Sequence, residues 1–182
     1  MVISLFLGAA AGIAFVLARH FLNRSVRSPE ELEEQGMSVY ANIPVSEKQI
    51  EMDRKRPSAD GRMRVHKMLA LESPQDLAVE ALRGLRTSLH FAMMNASSNV
   101  LMISGPTPGV GKSFISANLG AILAQAGQRV AVVDADLRQG HMHRYFGLAS
   151  KNGLSEILTE EVSLQEALQE TAQEGLTFLA RG

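Results

Sequence analysis

The sequence contains no cysteine and no tryptophan, only two tyrosines, and almost no net charge. Without cysteine there is no disulfide framework, no thiolate-ligated metal and no thiol nucleophile. The balance of 18 Lys+Arg against 19 Asp+Glu excludes the basic excess expected of a general nucleic-acid binder. The two tyrosines, Tyr40 and Tyr145, lie far apart and form no tyrosine cluster. What is present is 182 residues, 46% of them hydrophobic, enough for one domain with a stable core. A mean hydropathy near zero averages two unlike pieces, because apolar residues are concentrated at the start.

Residues 2–18, VISLFLGAAAGIAFVLA, carry no charge, and Phe21 and Leu22 extend the apolar stretch past Arg19 and His20. As a helix it reaches the lower limit for crossing a hydrocarbon core of roughly 30 Å. Nothing amphipathic marks it as a soluble helix. A signal peptide is not expected, since one would need a basic region before the apolar core and a cleavage site after it, and basic residues follow instead. The expectation is a transmembrane helix over residues 1–22. Arg19, Arg24 and Arg27 beside it then place the rest of the chain in the cytoplasm. Gly8 and Gly12 share a helix face, which suits close helix packing and also the general frequency of glycine in membrane helices.

Residues 23–72 read as a cytoplasmic juxtamembrane segment and linker. SPEE at 28–31 has the form of a helix start, with Ser28 as cap, Pro29 in the first turn and Glu31 closing a capping box. That helix should end near Gly36, and VYANI at 39–43 should be a strand stopped by Pro44. Residues 46–67 are polar, mixed in charge and interrupted by Pro57 and Gly61, as a linker is. Its Lys and Arg side chains either touch anionic headgroups or are simply solvated. SPQD at 73–76 announces a further helix, with Leu77, Ala78, Ala81, Leu82, Leu85 and Leu89 at helical spacing. Glu80, Arg83 and Arg86 line one stripe of it, either a solvated face or a protein contact.

The chemistry is concentrated further on. NVLMIS at 99–104 reads as a buried strand, GPTPGVGKS at 105–113 as a glycine-bearing loop, and FISANLGAILAQAG as the helix after it. That order is the context of a phosphate-binding P-loop. Glycines let the backbone wrap phosphates with its N–H groups, and the helix adds the positive end of its dipole. The expected nucleotide contacts are Thr107, Pro108, Gly109, Val110, Gly111, Lys112, Ser113 and Phe114, with Lys112 on the β- and γ-phosphates and Ser113 on Mg²⁺. One position departs from G-x-x-x-x-G-K-[ST]: Pro106 stands where the first glycine is expected, and Gly105 lies one residue early. The next apolar run, 129–133, ends in DADLR, and a parallel strand there puts Asp134 and Asp136 on the same sheet edge as the loop. His141 and His143 suggest capping and packing, or by composition a metal pair. Phe146 and Leu148 should be core, helices are expected around 155–158 and 164–172, and a third strand at 176–179.

These residues resemble the bacterial tyrosine kinases (BY-kinases) attached to polysaccharide chain-length regulators. The resemblance rests on the apolar helix, SPEELEE and VYANIP, the E-x-x-R-x-x-R of Glu80, Arg83 and Arg86, GPTPGVGKS, DADLR, HRYFGL and NGLSEIL. It implies an α/β fold of the ParA/MinD branch of P-loop proteins, with residues 73–182 forming the N-terminal part of a kinase domain. It implies ATP and Mg²⁺, with Lys112, Asp134 and Asp136 catalytic, Asp134 as base for a tyrosine hydroxyl, and Asp136 with Ser113 on the metal. The two carboxylates could exchange roles. Glu80, Arg83 and Arg86 would join subunits into a ring, with a neighbour's tyrosine-rich tail entering the site and export machinery as partner. The place is the bacterial inner membrane and the process capsule or exopolysaccharide synthesis. It also implies a piece of a longer protein, lacking a preceding helix and periplasmic domain and a following Walker B Asp and tyrosine cluster. Rival readings are a ParA/MinD-type ATPase, whose signature lysine would stand at Thr107, and a non-catalytic ATP-controlled scaffold.

Overall fold

The computed structural model describes residues 8, 10, 12–15, 17–19, 26, 28–54 and 67–182. The expected transmembrane helix falls largely outside these residues. Among the described residues, 12–15 and 17–19 are helical, and no helix is long and apolar enough to cross a membrane.

The chain divides into two units, Met1–Val39 and Tyr40–Gly182. In the first, α1 (Pro29–Glu33) starts at Ser28 with Pro29 in its first turn. The expected capping box does not form, since the Ser28 side chain makes no cap bond. Glu30 takes part instead: its own backbone N–H, then the Ser28 hydroxyl, hold its carboxyl below the usual range. The helix unwinds at Gly36, whose φ of +82° suits glycine, with Met37 N donating to Leu32 O at 3.1 Å.

The second unit begins with an irregular stretch rather than a strand. Residues 39–43 pair with no described strand, and without a partner there is no ladder to hold them as one. Within the polar stretch that follows, Glu47–Arg54 forms α2. Ser46 starts it by accepting from Gln49 N at 3.1 Å, and its hydroxyl donates to Asp76 Oδ2 at 2.7 Å. Asp76 in turn caps α4 (Leu77–Met93) by accepting from Ala78 N. One hydroxyl and one carboxylate therefore join two helix starts. Between them lies α3 (Leu69–Glu72), which buries Leu69 and Ala70.

The face of α4 turned inward is Ala78, Val79 and Leu82, with Leu85 and Leu89 partly buried; Leu77 falls off that face and is 77% exposed. Helix α5 (Lys112–Gln125) packs beside α4 and against the sheet, and ends at Gly127, where φ is +82°. Gly120 permits the close approach: a Cβ there would lie 2.7 Å from Val132 Cγ2.

The sheet has the order β1-β3-β2. β1 (Val130–Val133) runs parallel to β3 (Leu176–Leu179) from Val130↔Leu176 to Val133↔Leu179. β2 (Leu168–Glu170) is antiparallel to β3, where the sequence pattern suggested a continued helix. Only Leu164–Ala167 is helical there (α8), started by a Ser163–Glu166 capping box. The short helices α6 (His143–Phe146) and α7 (Leu154–Leu158) precede it. Phe178 is fully buried and stacks on Phe146 at 4.6 Å.

The run at 99–104 is the main departure from expectation. It forms no strand, and Val100 and Met102 are 82% and 84% exposed. Among the described residues β1 pairs only with β3, so no ladder reaches this run and its β-branched residues have no pleated surface to join.

Candidate nucleotide-binding site

The loop at 105–113 is built by glycine where only glycine serves. Gly109 and Gly111 have φ of +78° and +95°, the left-handed region that other residues enter at a cost. Gly105 does a different job. A Cβ there would lie 2.8 Å from Val110 Cγ2, so the loop folds back directly onto residue 105. That accounts for a glycine at 105 with proline at 106.

Gly111 caps α5 with no side-chain bond, and the first described intrahelical donor is Ile115, bonded to Gly111 O at 2.9 Å. The N–H groups of the first turn therefore point out of the helix start, the arrangement that binds phosphate oxygens. Lys112 and Ser113 occupy that turn, and Lys112 Nζ donates to Thr107 O at 3.0 Å, lying over the loop. Thr107, Pro108, Gly109 and Val110 are exposed, and Lys112, Ser113 and Phe114 are half-buried.

Packing of α5 on the sheet sets where this turn points. Ala124 lies beside Gly175 at the start of β3, and Gly120 beside Val132 near the end of β1. Following α5 toward its N-terminus thus leads to the C-terminal edge of β1. Asp134 and Asp136 stand on that edge.

The two carboxylates differ. Asp134 is 3% exposed and accepts from Asp136 N at 3.3 Å and Met142 N at 3.0 Å. Gly140 makes that wrap possible, since a Cβ there would lie 2.6 Å from Asp134 Oδ2. Asp136 is exposed and accepts from Gln139 N at 2.9 Å through Oδ1. Beyond this turn, burial and then the Arg144 charge push the His143 imidazole below its ordinary pKa, and its Nδ1 finds no partner among the described residues. No group of three or more His, Cys, Asp or Glu able to hold a metal occurs among the described residues, so His141 and His143 form no such cluster.

Glu80, Arg83 and Arg86 lie on α4, apart in the chain from this edge. Arg83 Nη1 donates to Glu80 Oε2 at 2.7 Å and to Pro74 O at 2.8 Å, bracing the start of its own helix.

One supporting residue escaped the sequence pattern. Asn118 is fully buried in the middle of α5; its Oδ1 accepts from Ala70 N and its Nδ2 donates to Phe114 O, both at 2.8 Å. It ties α3 to the turn that carries Ser113 and Phe114. An amide inside an otherwise apolar helix is the signal that marks it.

Comparison with known proteins agrees with this geometry. The family model of the CobQ/CobB/MinD/ParA nucleotide binding domain matches residues 101–176. A putative tyrosine-protein kinase in the cps region of Klebsiella pneumoniae is 45% identical over 181 residues, covering 98% of this chain and 25% of that protein. Among solved structures, the BceF tyrosine kinase domain superposes with a TM-score of 0.80 at 39% identity, covering 87% of this chain and 63% of that one. The kinase domain of the Escherichia coli tyrosine kinase ETK gives a TM-score of 0.76 at 45% identity, covering 87% and 61%. The fold is thus the P-loop α/β fold of these kinase domains, with a small sheet. Nearly the whole chain is thus homologous to a stretch of bacterial tyrosine-protein kinases, and it spans about a quarter of the length of those curated relatives.

Proposed function

We propose that the chain is part of a membrane-anchored protein-tyrosine kinase that binds ATP with Mg²⁺ and phosphorylates tyrosines of its own oligomer. The observation that carries this is the sheet edge. An uncapped helix start bearing Lys112 and Ser113, with Gly109 and Gly111 in left-handed conformation, stands on the edge that ends in Asp134 and Asp136.

In this reading the loop from Thr107 to Phe114 wraps the phosphates with its N–H groups. Lys112 leaves the Thr107 carbonyl for the β- and γ-phosphate oxygens, neutralising charge as the γ-phosphoryl transfers. The Ser113 hydroxyl and the exposed Asp136 carboxylate are hard oxygen donors of the kind Mg²⁺ prefers, and Asp136 Oδ2 is free of protein hydrogen bonds among the described residues. Bound Mg²⁺ would supply charge neutralisation at the phosphates. Asp134 is the base that accepts the tyrosine proton. Its two accepted N–H bonds orient the carboxylate and leave lone pairs to spare.

Residues 1–22 form the inner-membrane anchor, with Arg19, Arg24 and Arg27 keeping the nucleotide domain, residues 73–182, cytoplasmic. Residues 23–72 connect the two. Glu80, Arg83 and Arg86 form the contact between subunits of a ring, and the tyrosine-rich tail of a neighbouring subunit supplies a substrate. The process proposed is regulation of capsule or exopolysaccharide synthesis, with the export machinery as partner, and the naming of a homologue for the cps region supports it. Thr107 in place of the ParA/MinD signature lysine speaks against a cargo-positioning ATPase.

The test is phosphotyrosine on the full-length protein given ATP and Mg²⁺, wild type against Lys112→Met. Loss of roughly 100-fold or more is expected in the variant, since positioning and charge stabilisation of the phosphoryl group depend on it. A wild-type protein that carries no phosphotyrosine ends the kinase reading and leaves the scaffold.

A further inference from the structure

A tyrosine kinase that acts on its own oligomer needs accepting tyrosines, and the two in this chain occupy opposite environments. Tyr145 lies in α6, half-buried, packed against the core, with its N–H donating to Met142 O at 2.9 Å. Tyr40 is 50% exposed in the irregular stretch 37–46, outside helix and sheet. Residues 38–45 make no backbone hydrogen bond to other described residues. Anchorage begins only downstream, where Ile43 packs partly against the core and Ser46, 7% exposed, bonds Asp76.

Phosphoryl transfer requires the phenol oxygen to come within bonding reach of the γ-phosphorus, in line with the leaving oxygen. An irregular segment with unpaired N–H and C=O groups can be laid along another chain's groove and held there by backbone hydrogen bonds. A tyrosine in a packed helical turn cannot reach until the turn opens. The environment therefore separates the two residues sharply.

We propose that Tyr40 is a phosphate-accepting tyrosine of this protein, modified by the tyrosine-kinase activity on which this inference rests. Tyr40 Oη attacks the γ-phosphorus of ATP, forming the Oη–P bond while the bond from that phosphorus to the β,γ-bridging oxygen breaks. ADP leaves with the electron pair, and the phenolic proton passes to a carboxylate of the Asp134–Asp136 edge. The product carries about −1.5 to −2 charges at residue 40. That places a strong charge on the stretch leading into the Ser46–Asp76 bond, which holds the start of α2 to the start of α4.

The experiment is peptide mapping by mass spectrometry of the full-length protein after incubation with ATP and Mg²⁺, in wild type, Tyr40→Phe, Tyr145→Phe and Lys112→Met. Phosphate is expected on the Tyr40 peptide in roughly tenfold or greater excess over Tyr145, because Tyr145 reacts only after local opening. Tyr40→Phe should remove that signal and leave phosphotyrosine elsewhere intact, and Lys112→Met should abolish it. Phosphotyrosine on other residues with none on Tyr40 overturns this proposal and leaves the kinase reading in place. Tyr40 phosphate that persists in Lys112→Met also overturns it, since another activity is then responsible. Absence of phosphotyrosine from the wild-type chain overturns both.

Discussion

The segments on either side of the phosphate loop are both mostly apolar, and they meet opposite fates. Before the loop, residues 99–104 run unpaired and mostly exposed, with Met102 84% accessible and Ile103 alone packing partly against the core. After it, α5 buries Ala117 through Ile122 and Ala124 between α4 and the sheet. Apolar content is not what distinguishes them. A helix satisfies its own N–H and C=O groups, so an apolar face can be buried as soon as one surface meets it. A strand has half of its hydrogen-bonding capacity in each neighbour, and burying it unpaired would strand those groups without partners. The loop's geometry is consequently held from its downstream side, through Gly111, α5 and Asn118.

That contrast can be broken by mutation. The largest effect is expected for Ile122→Ala, which should cost about 2–5 kcal/mol in urea unfolding by leaving a cavity in the core beside α5. A cost near zero would show that α5 is not packed as described. Next, Asn118→Ala should cost about 1–3 kcal/mol, because it leaves the Ala70 N–H buried without an acceptor. Hydrogen exchange at Ala70 should accelerate with it, and an unchanged exchange rate would remove Asn118 from its tying role. The smallest effect is expected for Met102→Ala, within about 0.5 kcal/mol, as for exposed positions generally. A cost of about 2 kcal/mol or more in the full-length protein would erase the contrast, since the run would then be buried against another strand.

Much of the downstream side could be read directly. The Gly-Lys-Ser turn, the helix after it, its end at Gly127 and the strands at 130–133 and 176–179 follow from local patterns that the structure reproduces. A helix start at SPQD, 73–76, was also legible, because a side-chain cap acts within two or three residues, and the structure puts that cap on Asp76. Other features were not. A polar stretch hid α2, whose start depends on Ser46 and on Asp76 thirty positions away. The turn from α8 into β2 was hidden because Leu168–Glu170 becomes a strand only through its pairing with β3. The pair of carboxylates at 134 and 136 was legible as a pair, but nothing local announced that one is enclosed by Gly140 and Met142 while the other faces solvent.

The two tyrosines show the same division. Composition alone reported their scarcity and their separation along the chain, and tertiary packing alone distinguished an exposed Tyr40 from a half-buried Tyr145. By itself the sequence determined the order strand-like run, glycine loop, Gly-Lys-Ser, helix and acidic turn, because glycine conformations, caps and helix periodicity act over a few residues. The tertiary structure alone decided which apolar runs are buried, which carboxylate is enclosed and which helix starts are tied together. Those outcomes depend on partners supplied from distant parts of the chain, and no short-range pattern encodes the partner.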